Sequence, residues 1–257
     1  MIIGVATIVY RSLDLVSAVK MLIKFTDNIM LSPIYSSISE QELKELLNLK
    51  ETYGLEYYVH GPLPASGWKF EELGYNQQLL ESTLRLAERL ESPFIVIHPT
   101  PRVQYHQALE ILQEYYKAAE DRGITVAVEN KPQQGDTWLA VDEDFERVLQ
   151  DFPDIKFCVD TSHYFLSVPN SAALRDLLIR FKDSIAIMHI ADTGAPSVAK
   201  HCEDLQLLPG FGDINWYVVS YGLRALNLRK VPLVLEVIYP YDISLGIRTI
   251  RHIISWY

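Results

Sequence analysis

Eight short apolar runs recur along this chain at nearly even intervals: IIGVAT, NIMLSP, EYYVHGP, FIVIHPT, TVAVENK, FCVDTSH, AIMHIADT and LVLEVIY. From the third run onward, each stops at a residue able to hold a metal or move a proton. These residues are His60, His98, Glu129, Asp160 with His163, His189 with Asp192, and Glu236. A buried parallel strand should be continuously apolar, because an ionisable group inside it is costly unless it is paired or ligated. Polar groups confined to the exit ends of successive strands therefore point to one shared mouth. A closed barrel of eight strand-helix units has such a mouth, at the carboxyl ends of its strands.

Segments of helical period lie between the runs. Ser39 and Glu42 have capping-box spacing ahead of Leu43, Leu46 and Leu47, and Gly54 closes that segment. Leu109, Leu112, Tyr116 and Ala119 share a face before Gly123, as do Leu174, Leu177, Leu178 and Phe181 after Asn170. Ile243, Ile247, Ile250 and Ile254 form the last stripe. Strict alternation of strand and helix predicts parallel strands joined by right-handed crossovers. An open doubly wound sheet shares the alternation but usually carries a glycine-rich turn after its first strand, and Thr7-Ile8-Val9-Tyr10-Arg11 has no glycine.

The expected fold is thus an α/β chain, a (β/α)8 TIM barrel, with residues 1–257 in a single domain. A length of 257 residues and 49% hydrophobic content suit it. The stretches 61–74 and 193–216 follow histidine-bearing strand ends and are expected to wall the mouth. The chain opens on a strand-like run without a basic leader, and no apolar segment reaches membrane-spanning length, so a soluble, cytoplasmic protein is expected.

Only two cysteines occur, Cys158 in an apolar run and Cys202 in a loop, which leaves no thiolate cage; a bound metal would need nitrogen and oxygen donors. A net charge of −10 gives no general attraction to a phosphate backbone and disfavours nucleic acid as partner. Glu129, Asp160, His189 and Glu236 end strands five to eight, and three carboxylates with one imidazole suit a divalent ion: Mn²⁺, Co²⁺, Mg²⁺ or Zn²⁺. Lys131 is the one basic residue close to these strand ends, so carboxylates crowded on one face need a cation or shared protons. Trp138 follows the fifth strand, placed either to stack on a sugar face or simply to pack.

In order and spacing these motifs resemble the xylose isomerase-like TIM barrels, a superfamily of sugar isomerases, sugar 3-epimerases, inosose dehydratases and the AP endonuclease IV group. The resemblance spans essentially the whole chain. It rests on His98-Pro99, Glu129-Asn130, Asp160-Thr161-Ser162-His163, His189-Ile190-Ala191-Asp192, the turn from Leu208 to Ile214, and Glu236. It implies at least one divalent ion on Glu129, Asp160, His189 and Glu236, with Glu129 and Glu236 as the acid/base pair. His163 would contact a substrate oxygen, and His60, His98 and Asp192 are further candidates to contact substrate. The reaction would be proton abstraction next to a carbonyl through a metal-stabilised enediolate, in a sugar, sugar phosphate or polyol.

The endonuclease IV branch implies more zinc, with His60 and His98 as additional ligands and a third ion on His163 and Asp204. That third ion would also need a histidine where this chain has Gln206. Two alternatives to the isomerase or epimerase therefore stand beside it: a zinc phosphodiesterase of DNA repair, and a sugar-binding barrel without turnover.

Overall fold

The computed structural model describes residues 1–32, 38–61, 77–99, 102–133, 137–194, 205–238 and 242–255. Each apolar run forms a strand: β1 (Ile3–Ala6), β2 (Asn28–Leu31), β3 (Glu56–His60), β4 (Phe94–Ile97), β5 (Thr125–Glu129), β6 (Lys156–Asp160), β7 (Ile185–Ile190) and β8 (Leu233–Leu235). Every strand pairs in parallel with the next, and β8 pairs with β1, so the sheet closes into an eight-stranded barrel. Closure leaves no exposed sheet edge and brings all the strand exits to one rim.

Helices α1 (Leu15–Leu22), α2 (Glu40–Tyr53), α3 (Gln77–Arg89), α4 (Tyr105–Glu120) and α5 (Asp142–Asp151) cross over between successive strands. They are followed by α6 (Thr161–Ser167), α7 (Ser171–Arg180), α8 (Trp216–Ala225) and α9 (Ile243–Ser255). The α2 boundaries follow the sequence signals. Ser39 and Glu42 form a reciprocal capping box, and Gly54 ends the helix with φ of 65°, a conformation glycine adopts without strain. The stripes of α4 and α9 face inward as expected, with Tyr115 and Ile253 buried beside the half-buried Tyr116 and Ile254. Tyr116 reaches the Lys156 backbone through its hydroxyl.

The short helix α6 has no counterpart in the sequence reading. It starts directly at the end of β6 because Asp160 caps it, accepting hydrogen bonds from the His163 amide and the Ser162 hydroxyl at 2.8 Å each. Of the stretches expected to wall the mouth, 62–74 and 195–204 lie outside the described residues, and with them Asp204 and Cys202. Among the described residues no helix is long and apolar enough to cross a membrane.

The core has two layers. A large one lies between strands and helices; a small inner one fills the barrel with Ala6, Ile8, Met30, Tyr58, Val96, Ala127, Cys158, Ile187 and Val234.

Candidate active site

That inner layer fixes where the polar residues must go. Side chains alternate across a strand, so the residue two positions beyond an inward one also faces inward, one layer nearer the rim. Two residues after Tyr58, Val96, Ala127, Cys158, Ile187 and Val234 come His60, His98, Glu129, Asp160, His189 and Glu236. The same step from Ala6 gives Ile8, and from Met30 it gives Ser32. Ser32 was missed in the sequence because its run ends in an uncharged residue. The two-residue step from an inward apolar position is the signal that finds it.

Backbone ties hold the strand exits in register. The Asn130 amide group bridges β5 to β6, accepting from the Asp160 amide at 2.7 Å and donating to the Asp160 carbonyl at 3.2 Å. The Thr161 hydroxyl does the same for β6 and β7, donating to the Ala191 carbonyl at 2.6 Å and accepting from its amide at 3.1 Å. These contacts explain the Glu-Asn and Asp-Thr pairs: the first residue of each serves the site, and the second locks the strand that carries it.

His189 sits where three carboxylates meet. Its Nδ1 lies 3.6 Å from Glu129 Oε1 and 3.9 Å from Asp160 Oδ2, and it contacts Glu236 Oε2 directly. Ligating atoms of Glu129, Asp160, His189 and Glu236 all lie within 4.8 Å of one another. Neither ring nitrogen of His189, nor Glu236 Oε2, makes a hydrogen bond of ordinary geometry, though the Cys158 thiol lies against the imidazole. Buried polar atoms without hydrogen bonds are rare and destabilising. Converging on a single point, these fit the donor set of a divalent ion.

The electrostatics show what the cluster does with protons alone. Burial disfavours an imidazolium at His189, yet Cys158, Glu236 and Glu129 outweigh it and push its pKa well above the usual histidine value. Burial would likewise raise Glu129, but Lys131 and the surrounding histidines hold its carboxyl well below the ordinary range. Glu236 is also lowered, with His189 opposing the effect of burial. A protonated His189 beside the ionised Glu129 and Glu236 thus takes the part that a cation would play.

Glu129 is the most contacted group of the site. His60 Nε2 and His98 Nε2 approach its Oε2 at 3.1 and 3.0 Å, and His163 Nδ1 approaches its Oε1 at 2.9 Å. Burial and the Lys131 charge push the His98 pKa down to about 4, so this ring is neutral near pH 7 and Nε2–H donates. His60 differs. Its Nδ1 faces the Gly61 carbonyl at 2.8 Å, and a carbonyl only accepts, so a neutral ring turns its Nε2 lone pair toward the carboxylate. His60, Glu129 and His189 form a second group of metal-competent donors.

Two further candidate residues are enclosed by protein groups. Asp192 is fully buried, and both its oxygens are committed to holding a loop. Oδ1 accepts from the amides of Thr193 and Ile214 at 2.9 and 3.2 Å, while Oδ2 accepts from the Gly210 amide and Trp216 Nε1 at 2.8 and 2.7 Å. It organises the Leu208-to-Ile214 turn. Trp138, left open by the sequence to stacking or to packing, is also fully buried and packs edge-on against Tyr105 with ring centroids 5.6 Å apart.

A family model described as xylose isomerase-like TIM barrel matches residues 18–256. No curated protein matches the chain in sequence. Among solved structures, a D-tagatose 3-epimerase-like protein superposes with a TM-score of 0.80 at 19% identity, over 99% of this chain and 97% of that one. The IOLI protein with a bound zinc atom gives 0.76 at 16% identity, over 100% of this chain and 99% of that one. Endonuclease IV from Thermus thermophilus gives 0.70 at 18% identity, covering 100% of both chains. At these identities the likeness is one of fold.

Proposed function

Because the chain belongs to the xylose isomerase-like TIM barrel family, we propose that it is a metal-dependent isomerase or epimerase of a sugar, sugar phosphate or polyol. One observation carries the reading. Glu129 and Glu236 come from strands separated by β6 and β7, yet both reach His189 inside a single buried donor cluster. Two carboxylates so placed are positioned to serve the two faces of one substrate carbon, one removing a proton and the other returning it. Glu129, Asp160, His189 and Glu236 would hold the divalent ion, which when bound supplies positive charge to offset the negative charge that develops beside the carbonyl.

The protein's own groups do the rest. His98 and His163 fix the two oxygens of Glu129, so that its carboxylate is aimed before substrate arrives. Lys131 Nζ lies 3.2 Å from His163 Nε2 and 3.8 Å from Glu129 Oε1, an ammonium beside the carboxylate that must lose and regain a proton. His163 and His60 line the same mouth and are proposed to contact substrate oxygens. The partner is a small molecule, and the net charge of −10 favours no nucleic acid.

Deuterium exchange tests the reading. A ketose incubated with the protein and Mn²⁺, Co²⁺, Mg²⁺ or Zn²⁺ in heavy water should gain deuterium at the carbon beside its carbonyl. Glu236→Gln should stop the exchange while leaving much of the ketose affinity, since the amide keeps an oxygen but moves no proton. Binding of the ketose by the wild type without exchange would favour a sugar-binding barrel.

The lone pair that His60 turns toward Glu129 favours a second reading, a multinuclear phosphodiesterase of the endonuclease IV kind. Cleavage of abasic-site DNA by the wild type, lost in Glu236→Gln, would establish that reading over the isomerase.

A further inference from the structure

Ser32 occupies the rim position of β2, and its hydroxyl serves no purpose among the described residues. The residue is 3% exposed, and its Oγ has no hydrogen-bond partner among them. Its backbone is fixed, by contrast: the Ser32 amide donates to Thr7 Oγ1 at 2.9 Å, so the end of β1 holds the end of β2 in place. A buried hydroxyl that is rigidly placed but unpaired has the character of a binding group waiting for a partner.

Its location suggests what the partner is. Met30 pairs in register with Tyr58, and the next inward residues on those strands are Ser32 and His60. Around the closed barrel, β2 stands opposite β6, so Ser32 faces across the mouth from Asp160. The acid cluster gathers on the β5 to β8 side, so a molecule seated there reaches Ser32 only if it extends over several carbons. A serine hydroxyl donates one hydrogen bond and accepts others without charge, which suits an alcohol better than a phosphate. Ile8, in the turn of 3-10 helix that follows β1, adds an apolar side chain to the inner layer.

Building on the isomerase or epimerase reading, we infer that Ser32 is a specificity-determining residue that takes a non-reacting hydroxyl of an uncharged polyol, at the end far from the exchanging carbon. The test measures deuterium exchange on a ketohexose, on its monodeoxy analogues beyond the carbonyl, and on the 6-phosphate, using wild type and Ser32→Ala. The expected result is a rise in KM of about tenfold for the parent ketohexose, with kcat changed far less. One monodeoxy analogue should bind both proteins equally, because the hydroxyl that meets Ser32 is already gone. The melting temperature of Ser32→Ala should equal or exceed that of the wild type, since the variant removes a buried polar atom without a partner.

A KM penalty spread evenly over all the analogues would overturn the assignment, as would a lower melting temperature with KM unchanged. A clear preference for the 6-phosphate would overturn its uncharged character. Turnover by the wild type with a silent Ser32→Ala removes Ser32 alone. No exchange into any ketose by the wild type removes the isomerase reading, and Ser32 with it.

Discussion

His163 Nδ1 lies 2.9 Å from Glu129 Oε1. The same nitrogen is 2.9 Å from the Asn130 carbonyl, which can only accept, so the proton of a neutral ring sits on Nδ1. Nε2 is then an acceptor, and the Lys131 ammonium supplies its donor. A lysine on the loop after β5 thereby meets the acceptor nitrogen of a histidine on α6 whose other nitrogen faces a carboxylate on β5. Lys131→Met keeps the length of the side chain and removes its charge and donors. It is expected to lower kcat on the order of tenfold, the size of one lost charged hydrogen bond, with a smaller change in KM. Equal kcat values in the two proteins would rule out a role for Lys131 in the reaction.

Removing metal should destabilise the protein, because three buried carboxylates converge on His189. Chelation is expected to lower the melting temperature by roughly 5–10 °C, the effect of losing a ligand present at about a hundred times its Kd. His60→Ala and His98→Ala should each retain the ion held by the four-donor group, as read by elemental analysis. Loss of all metal from either variant would mean that the two donor groups form one fused site.

Asp192→Ala should cost ~3 kcal/mol or more, since three buried N–H donors and one half-buried one lose a charged acceptor, and the melting temperature should fall by roughly 6–12 °C. Gly212→Ala tests the same turn from the other side: a Cβ there would come within 2.5 Å of the Thr193 carbonyl oxygen and closer still to Asp192. Metal content should be unchanged in both variants. An Asp192→Asn protein with wild-type melting and a raised KM would make Asp192 a substrate contact as well.

At α2, Ser39→Ala is expected to cost about 1 kcal/mol at pH 7. The Ser39 hydroxyl and amide hold the Glu42 carboxyl below its ordinary pKa. The depressed value means that this stabilisation is present above the unfolded pKa and is lost as pH falls through the folded one. Chemical denaturation of wild type and variant should therefore differ most at neutral pH, and the gap should narrow as Glu42 becomes protonated, leaving the part due to the Ser39 hydroxyl accepting from the Glu42 amide. An undiminished difference in strong acid would show that the Glu42 half of the box contributes nothing.

Periodicity alone determined much of this protein. Eight apolar runs became eight strands, and the capping pair Ser39 and Glu42 and the terminator Gly54 bounded a helix where they stood, because these signals act between residues close in sequence. The direction of a strand-end side chain was legible as well, since alternation is local: His60, His98, Glu129, Asp160, His189 and Glu236 all fall two residues beyond an inward apolar position. Tertiary structure decided what each polar residue does once it arrives. Asp192 resembles its neighbours in sequence, yet its oxygens are taken by N–H groups from 193 to 216, and only folding brings those donors to it. Trp138 reads equally as a stacking or a packing residue, and its edge-on contact with Tyr105 exists only in the folded chain. Ser32, unremarked in the chain, gains its significance only because closing the barrel sets it opposite the acids. Hydrogen-bond partners and burial are set by contacts between residues far apart in the chain, and sequence spacing does not encode those distances.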